Sequence, residues 1–149
     1  FAGNVKSPYG RLHALHTLNG LGALKASHVL QSLKDASADV RIQAMILAEN
    51  FPDDSKVAET VYAQANQSSR HVLYQLALTA SRLPDSDHKK IALAMALGKA
   101  GGDRWIEAAV MNALTDGLGD MWVAIHGGRD HRALSGGLQV GGLDGGRRG

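Results

Sequence analysis

Seven histidines and two paired-acid segments are the side chains of this sequence that could do chemistry. His13 and His16 stand three apart, a spacing that could bring two imidazoles from one side of a helix to a single ion. His126 and His131 flank glycines near the other end. A metal needs a third or fourth ligand converging on the same point, and neither H-E-x-x-H nor a comparable spacing supplies one. His13 and His16 are therefore expected to be structural or surface residues, and no metal ligand is assigned. The acids of "PDDS" (52–55) and "PDSD" (84–87) could share proton-transfer work, yet both pairs sit where a loop enters a helix. There, capping accounts for a carboxylate without any raised pKa.

Other chemistries find still less. No G-x-S-x-G occurs, and no serine, histidine and aspartate arrangement stands out for nucleophilic catalysis. "GLGAL" and "GLGD" lack the G-x-G-x-x-G spacing and follow helices rather than strands, so phosphate cradling is not expected. With no cysteine there is no disulfide, thiolate metal site, cysteine nucleophile or covalent c-type haem. No catalytic residue and no cofactor is expected.

Composition bounds the scaffold instead. The chain has 149 residues, one ordinary domain in length, and 44% of them are hydrophobic, enough for a core. Only 5% are aromatic, while alanine and leucine dominate the apolar set, which favours helices. Sixteen basic and fourteen acidic residues are interspersed, leaving a net charge of +2 and no basic face, so nucleic acid is not implied. No apolar run is long enough to span a bilayer. The start "FAGNVKSPYG" lacks both a signal-peptide order and an initiator methionine, so the chain is expected to be a segment of something longer.

A repeat positions everything else. "GRLHALHTLNGL" from Gly10, "VRIQAMILAENF" from Val40, "VLYQLALTASRL" from Val72 and "WIEAAVMNALTD" from Trp105 begin 30, 32 and 33 residues apart. In that frame Ala14, Ala44, Leu76 and Ala109 coincide, as do Leu18, Ala48, Ala80 and Ala113. Between them lie further amphipathic segments. "ASHVLQSLKD" puts Ala26, Val29, Leu30 and Leu33 on one face, and "SKVAETVYAQA" does so with Val57, Ala58, Val61 and Ala65. "HKKIALAMALGKA" places Ile91, Ala94, Met95 and Gly98 on one side, with Leu93 and Leu97 broadening the stripe. Each unit is a helix pair, about four pairs in all, and Pro52 and Pro84, 32 apart, keep the same period. Trp105 falls at the position of Val40 and Val72 and is expected in the core; it and Trp122 are the alternative binding anchors.

Helix starts are legible too. Asp39 is expected to cap the helix beginning at Val40, Ser68 or Ser69 the one near His71, and Asp103 the one at Trp105. In "DVRIQAMILAE" (39–49), Val40, Ala44, Leu47 and Ala48 form the packing stripe, leaving Arg41 to reach an acidic residue in the adjacent turn of the stack.

A helix pair opening on "SADVRIQA" resembles the HEAT repeat, over roughly residues 5 to 115. The resemblance implies an all-α fold, a right-handed α-α superhelix of the HEAT or armadillo kind. "SPYGRLHALHTLNGLGAL", "SLKDASADVRIQAMILAE" and "HVLYQLALTA" further resemble the HEAT-like segment of large bacterial dehydrogenase-like proteins of the planctomycete type. Those join a sugar-dehydrogenase-like propeller, a helical segment and a c-type haem domain, and are exported, which implies a periplasmic or extracellular setting. The haem motif of that family, C-x-x-C-H, has no counterpart here.

Nine of the eighteen glycines lie in the last 23 residues. The expected division is a helical domain over 1–126 and a flexible Gly/Arg-rich tail over 127–149. "GGRRG" resembles RNA-binding arginine-glycine segments, but the tail has only four arginines and no interleaved aromatics. "DMWVAIHG" (120–127) would be the second helix of the fourth pair.

The resemblance implies that second helices line a concave docking face. Projecting the apolar stripes inward leaves His28, Gln31, Lys56, Glu59 and Lys89 facing out, the expected partner-binding residues. Two functions follow. One is a non-catalytic scaffold or interaction module that binds a protein partner or the neighbouring domains of a parent chain. The alternative is a HEAT-like enzyme, a DNA glycosylase or a bilin lyase, acting through the concave face; scattered lysines and arginines disfavour the glycosylase.

Overall fold

A computed structural model describes residues 7–67 and 69–114, within the unit Phe1–Thr115. Among the described residues there are seven α-helices and no strand, so the fold is all-α. The helices are α1 (Pro8–Gly20), α2 (Ala26–Ser32), α3 (Ala38–Ala48), α4 (Ser55–Tyr62), α5 (Arg70–Ala80), α6 (Asp87–Ala100) and α7 (Arg104–Ala113). A 3-10 turn, Ala63–Asn66, extends α4. The proposed tail, the boundary at 126, Trp122, His126, His131 and the segment 120–127 lie outside the described residues.

Side-chain caps fix three of the starts. Asp54 accepts the backbone N–H groups of Lys56 and Val57 at 3.0 and 3.1 Å. Ser86 accepts that of Lys89, and Asp103 accepts those of Trp105 and Ile106, the last as expected. The start of α3 differs from expectation. Ser37, not Asp39, is its N-cap, and Asp39 is the second helical residue, on the favourable side of the helix dipole. The helix starts two residues early because Asp35 holds the Ser37 N–H at 2.8 Å while Arg41 N–H closes on the Ser37 carbonyl.

Packing alternates. α1 touches α3, α3 touches α5 and α5 touches α7, while α2 touches α4 and α4 touches α6. Odd and even helices thus form two layers, and the core fills the space between them. Val40, Ala44, Leu47 and Ala48 of α3 are buried, as are Val72, Leu73, Leu76, Ala77 and Ala80 of α5 and Ile106, Ala109, Val110 and Ala113 of α7. Small residues at the facing positions let the helices approach closely, so apolar area leaves water without bulky aromatics.

Two expected orientations are corrected. Trp105 is 63% exposed, and Ile106 occupies the core position in its place. The N-caps Ser37, Ser69 and Asp103 show why: α7 starts 34 residues after α5, not 33, because Gly101 and Gly102, both at positive φ, lengthen the connection. In α6 the buried face is Lys89, Ala92, Leu93, Ala96, Leu97 and Ala100, whereas Ile91 is 58% exposed. The helix is apolar on both sides, so its pattern could not choose a face.

Polar side chains tie each repeat to the next. Arg11 pairs with Asp35 through two bonds of 2.6 and 2.8 Å. Arg41, at the corresponding helical position, donates to the Asp35 and Ala36 carbonyls and, at 3.4 Å, to Gln67, which stands where Asp35 does one repeat earlier. Arg41 therefore reaches back to the connection before its own helix, where its charge also acts on Asp35, but its hydrogen bonds go to two carbonyls and an amide rather than to a carboxylate. In the third unit Lys99 reaches back to the carbonyl of Ala65 at 2.7 Å. Gln64, buried, donates to the Leu33 carbonyl at 3.0 Å.

These ties carry a pH dependence. The Arg11 guanidinium holds the Asp35 carboxyl below the usual carboxylate range, helped by the Ser37 N–H and by Arg41, against the cost of burial. A depressed folded-state pKa adds stability above the unfolded value, near pH 4, and that stability is lost as pH falls through the folded value. Asp35→Asn should therefore lower the urea midpoint at pH 7 and flatten its decline between pH 5 and 2. A variant whose acid limb parallels wild type would remove Asp35 from the acid response.

Candidate functional site

The even-numbered layer carries an apolar recess. Between α4 and α6 lies a groove of about 330 Å³ lined by Glu59, Tyr62, Ala63, His88, Ile91, Ala92 and Met95. A second recess, also about 330 Å³, continues past the start of both helices along Pro52, Asp53, Ala58, Pro84 and Ser86, sharing Glu59, Tyr62 and His88 with the first. The shared residues make the two recesses one trough.

Local sequence dictates its shape. Pro52 and Pro84 end the preceding connections, and the Asp54 and Ser86 caps start α4 and α6 in step, 32 residues apart. In that register Lys56 corresponds to His88, Glu59 to Ile91 and Ala63 to Met95. One wall therefore offers a carboxylate and the other two apolar side chains. Small Ala63 and Ala92 leave the room between them. Tyr62 is 5% exposed, and its hydroxyl donates to the Pro84 carbonyl at 2.9 Å, which pins the ring to the next repeat; burial pushes its phenol up from the ordinary value.

Of the expected partner-binding residues, Glu59 alone lines the trough. Lys56 is exposed but belongs to a separate polar hollow formed by residues 50–56. Gln31 is exposed on α2, and His28, half-buried there, accepts the Lys25 N–H at 3.1 Å through Nδ1 and so caps its own helix. Lys89 does not face out. Its side chain is 4% exposed and its ammonium donates to the Leu83 carbonyl at 3.2 Å and to Asp85 at 2.7 Å, holding the Asp85 carboxyl below its usual range. The 32-residue register aligns Lys89 with buried Val57, Leu93 with Val61 and Leu97 with Ala65. That alignment was the signal in the sequence, and it also points to His88, Ile91 and Met95, which projection of the stripes missed.

His13 and His16 are exposed, and His16 Nε2 lies 3.0 Å from Gln43 Oε1. Among the described residues no group of three histidine, aspartate or glutamate side chains converges as a metal site would require, and no helix is long and apolar enough to cross a membrane. The trough offers an apolar floor with carboxylates at its edge, an arrangement that can hold an apolar side chain. Comparison of the chain with family models, curated proteins and solved structures returns no match.

Proposed function

We propose that this chain is a non-catalytic interaction module of the HEAT-repeat kind, its helix pairs wound as a right-handed superhelix and its even-numbered helices lining the docking face. The observation that carries this reading is the alternation of contacts, odd helix on odd and even on even, with successive units bridged by Gln64 to Leu33 and Lys99 to Ala65, 31 and 34 residues apart. Stacking of that kind gives an extended face that grows with repeat number and suits the recognition of another polypeptide.

The parent setting is part of the same proposal: a segment of an exported dehydrogenase-like protein, holding catalytic and electron-transfer domains in fixed relation. A full-length reading frame with neither a propeller nor a haem motif beside this segment removes that setting and leaves the module reading intact.

Displayed random short peptides, selected on the full chain, test the module reading directly. Enriched peptides should bind in solution with micromolar or weaker dissociation constants, about −8 kcal/mol or less in magnitude. Their amide chemical-shift changes should fall on α2, α4 and α6, around Gln31, Lys56 and Glu59. Enrichment no better than scrambled sequences, or shifts confined to the odd helices, would remove the proposed face.

A further inference from the structure

Resting on the interaction-module reading, we propose that the trough between α4 and α6 binds a peptide segment presenting a large apolar side chain with a lysine or arginine about one helical turn away. The first half of that chemistry follows from the floor and the α6 wall. Ile91 and Met95 are 58% and 37% exposed and lie one turn apart on α6, so they form an apolar edge beside Tyr62 and the two small alanines. Apolar side chains left in water above a recess gain free energy when a partner's side chain displaces that water. The methionine can adjust its three rotatable bonds to different guests, while Tyr62, tied to Pro84, gives them a fixed surface.

The second half follows from charge. Besides the Tyr62 phenol, the ionisable side chains lining the trough are Asp53, Glu59 and His88, with no lysine or arginine among them. Among the described residues, no hydrogen bond or ion pair engages the side chains of Glu59 or His88. Glu59 is exposed at the rim, so a cation arriving with the apolar side chain meets a carboxylate that needs no prior partner broken. An anionic segment would instead meet two carboxylates, and an anionic lipid surface is disfavoured for the same reason. A trough that runs along two helices also fits side chains spaced on a polypeptide better than one compact small molecule.

The probes are two fluorescein-labelled helical peptides, identical except for lysine or glutamate four residues after a central tryptophan, titrated with the full chain by anisotropy at low salt. The lysine peptide should bind roughly threefold to tenfold tighter, the scale of exchanging attraction for repulsion at an exposed pair. Glu59→Lys should invert that preference. Ile91→Ser with Met95→Ser should weaken both peptides while leaving the melting curve near wild type, because both side chains are largely exposed. Equal affinity for the two peptides, indifference to these substitutions, or no binding at about millimolar concentration overturns the inference. So does sedimentation equilibrium showing a dimer that Ile91→Ser with Met95→Ser dissociates, since the occupant would then be a second copy. Peptides that bind elsewhere on the even helices sink the trough but spare the module; no peptide binding anywhere on the chain sinks both.

Discussion

Lys89→Glu should destabilise the fold by about 3–5 kcal/mol, whereas Lys56→Glu should stay within about 0.5 kcal/mol of wild type. The two lysines open successive even-numbered helices, and sequence projection treats them alike. Their surroundings do not. A glutamate at 89 would bury a carboxylate against the Leu83 carbonyl and beside Asp85, with nothing to accept its charge. Lys56 is exposed, and reversing it leaves water to solvate the new charge. Lys89→Met provides the control that separates charge from packing. Methionine keeps the stem's apolar contacts, and Asp85, 62% exposed in its side chain, remains hydrated without its partner, so the cost should be about 1 kcal/mol. Urea unfolding of the three variants measures this; equal midpoints for Lys89→Glu and Lys56→Glu would contradict the buried placement of Lys89.

Leu76→Ala should cost about 2–5 kcal/mol and lower the melting temperature by roughly 10 °C or more, since each kcal/mol shifts a domain of this size by about 4 °C. Leu76 is fully buried on α5, the helix packed against both α3 and α7, and the corresponding position in α3 is already Ala44. The alanine that suits one repeat leaves a void in the next because α5 also contacts α4, α6 and the 3-10 turn, which hold its neighbours in place and limit collapse. Calorimetry on the full chain checks it. A loss under 1 kcal/mol would mean that the central repeat can close around the missing side chain, and that the layers are not packed as described.

Stability resides between the two layers and in the polar ties between repeats. The rim of the trough is then free of structural duty, so Glu59, Ile91 and Met95 can be varied for recognition without unfolding what displays them.

Helix content, the pairing of helices, most core stripes and the side-chain cap at Asp103 were all determined by the sequence on its own, while Ser69 holds the N-cap position of α5 without a side-chain bond. The reason is local: 3.6-residue periodicity, capping hydrogen bonds and glycine or proline breaks act within a few residues of chain. Val57, Val61 and Ala65 are buried as their spacing requires, because α4 has one apolar face and one polar face. Tertiary structure decided what locality left balanced. α6 carries apolar residues on opposite sides, so contact with α4, α5 and α7 chose Leu93 and Leu97 for the core and put Ile91 and Met95 outside. Lys89 was buried because the Leu83 carbonyl and Asp85 supply partners that no projection of a single helix can reveal. Trp105 yielded the core to Ile106 because two left-handed glycines shifted the register of α7 by one residue, and one residue turns a helix by about 100°.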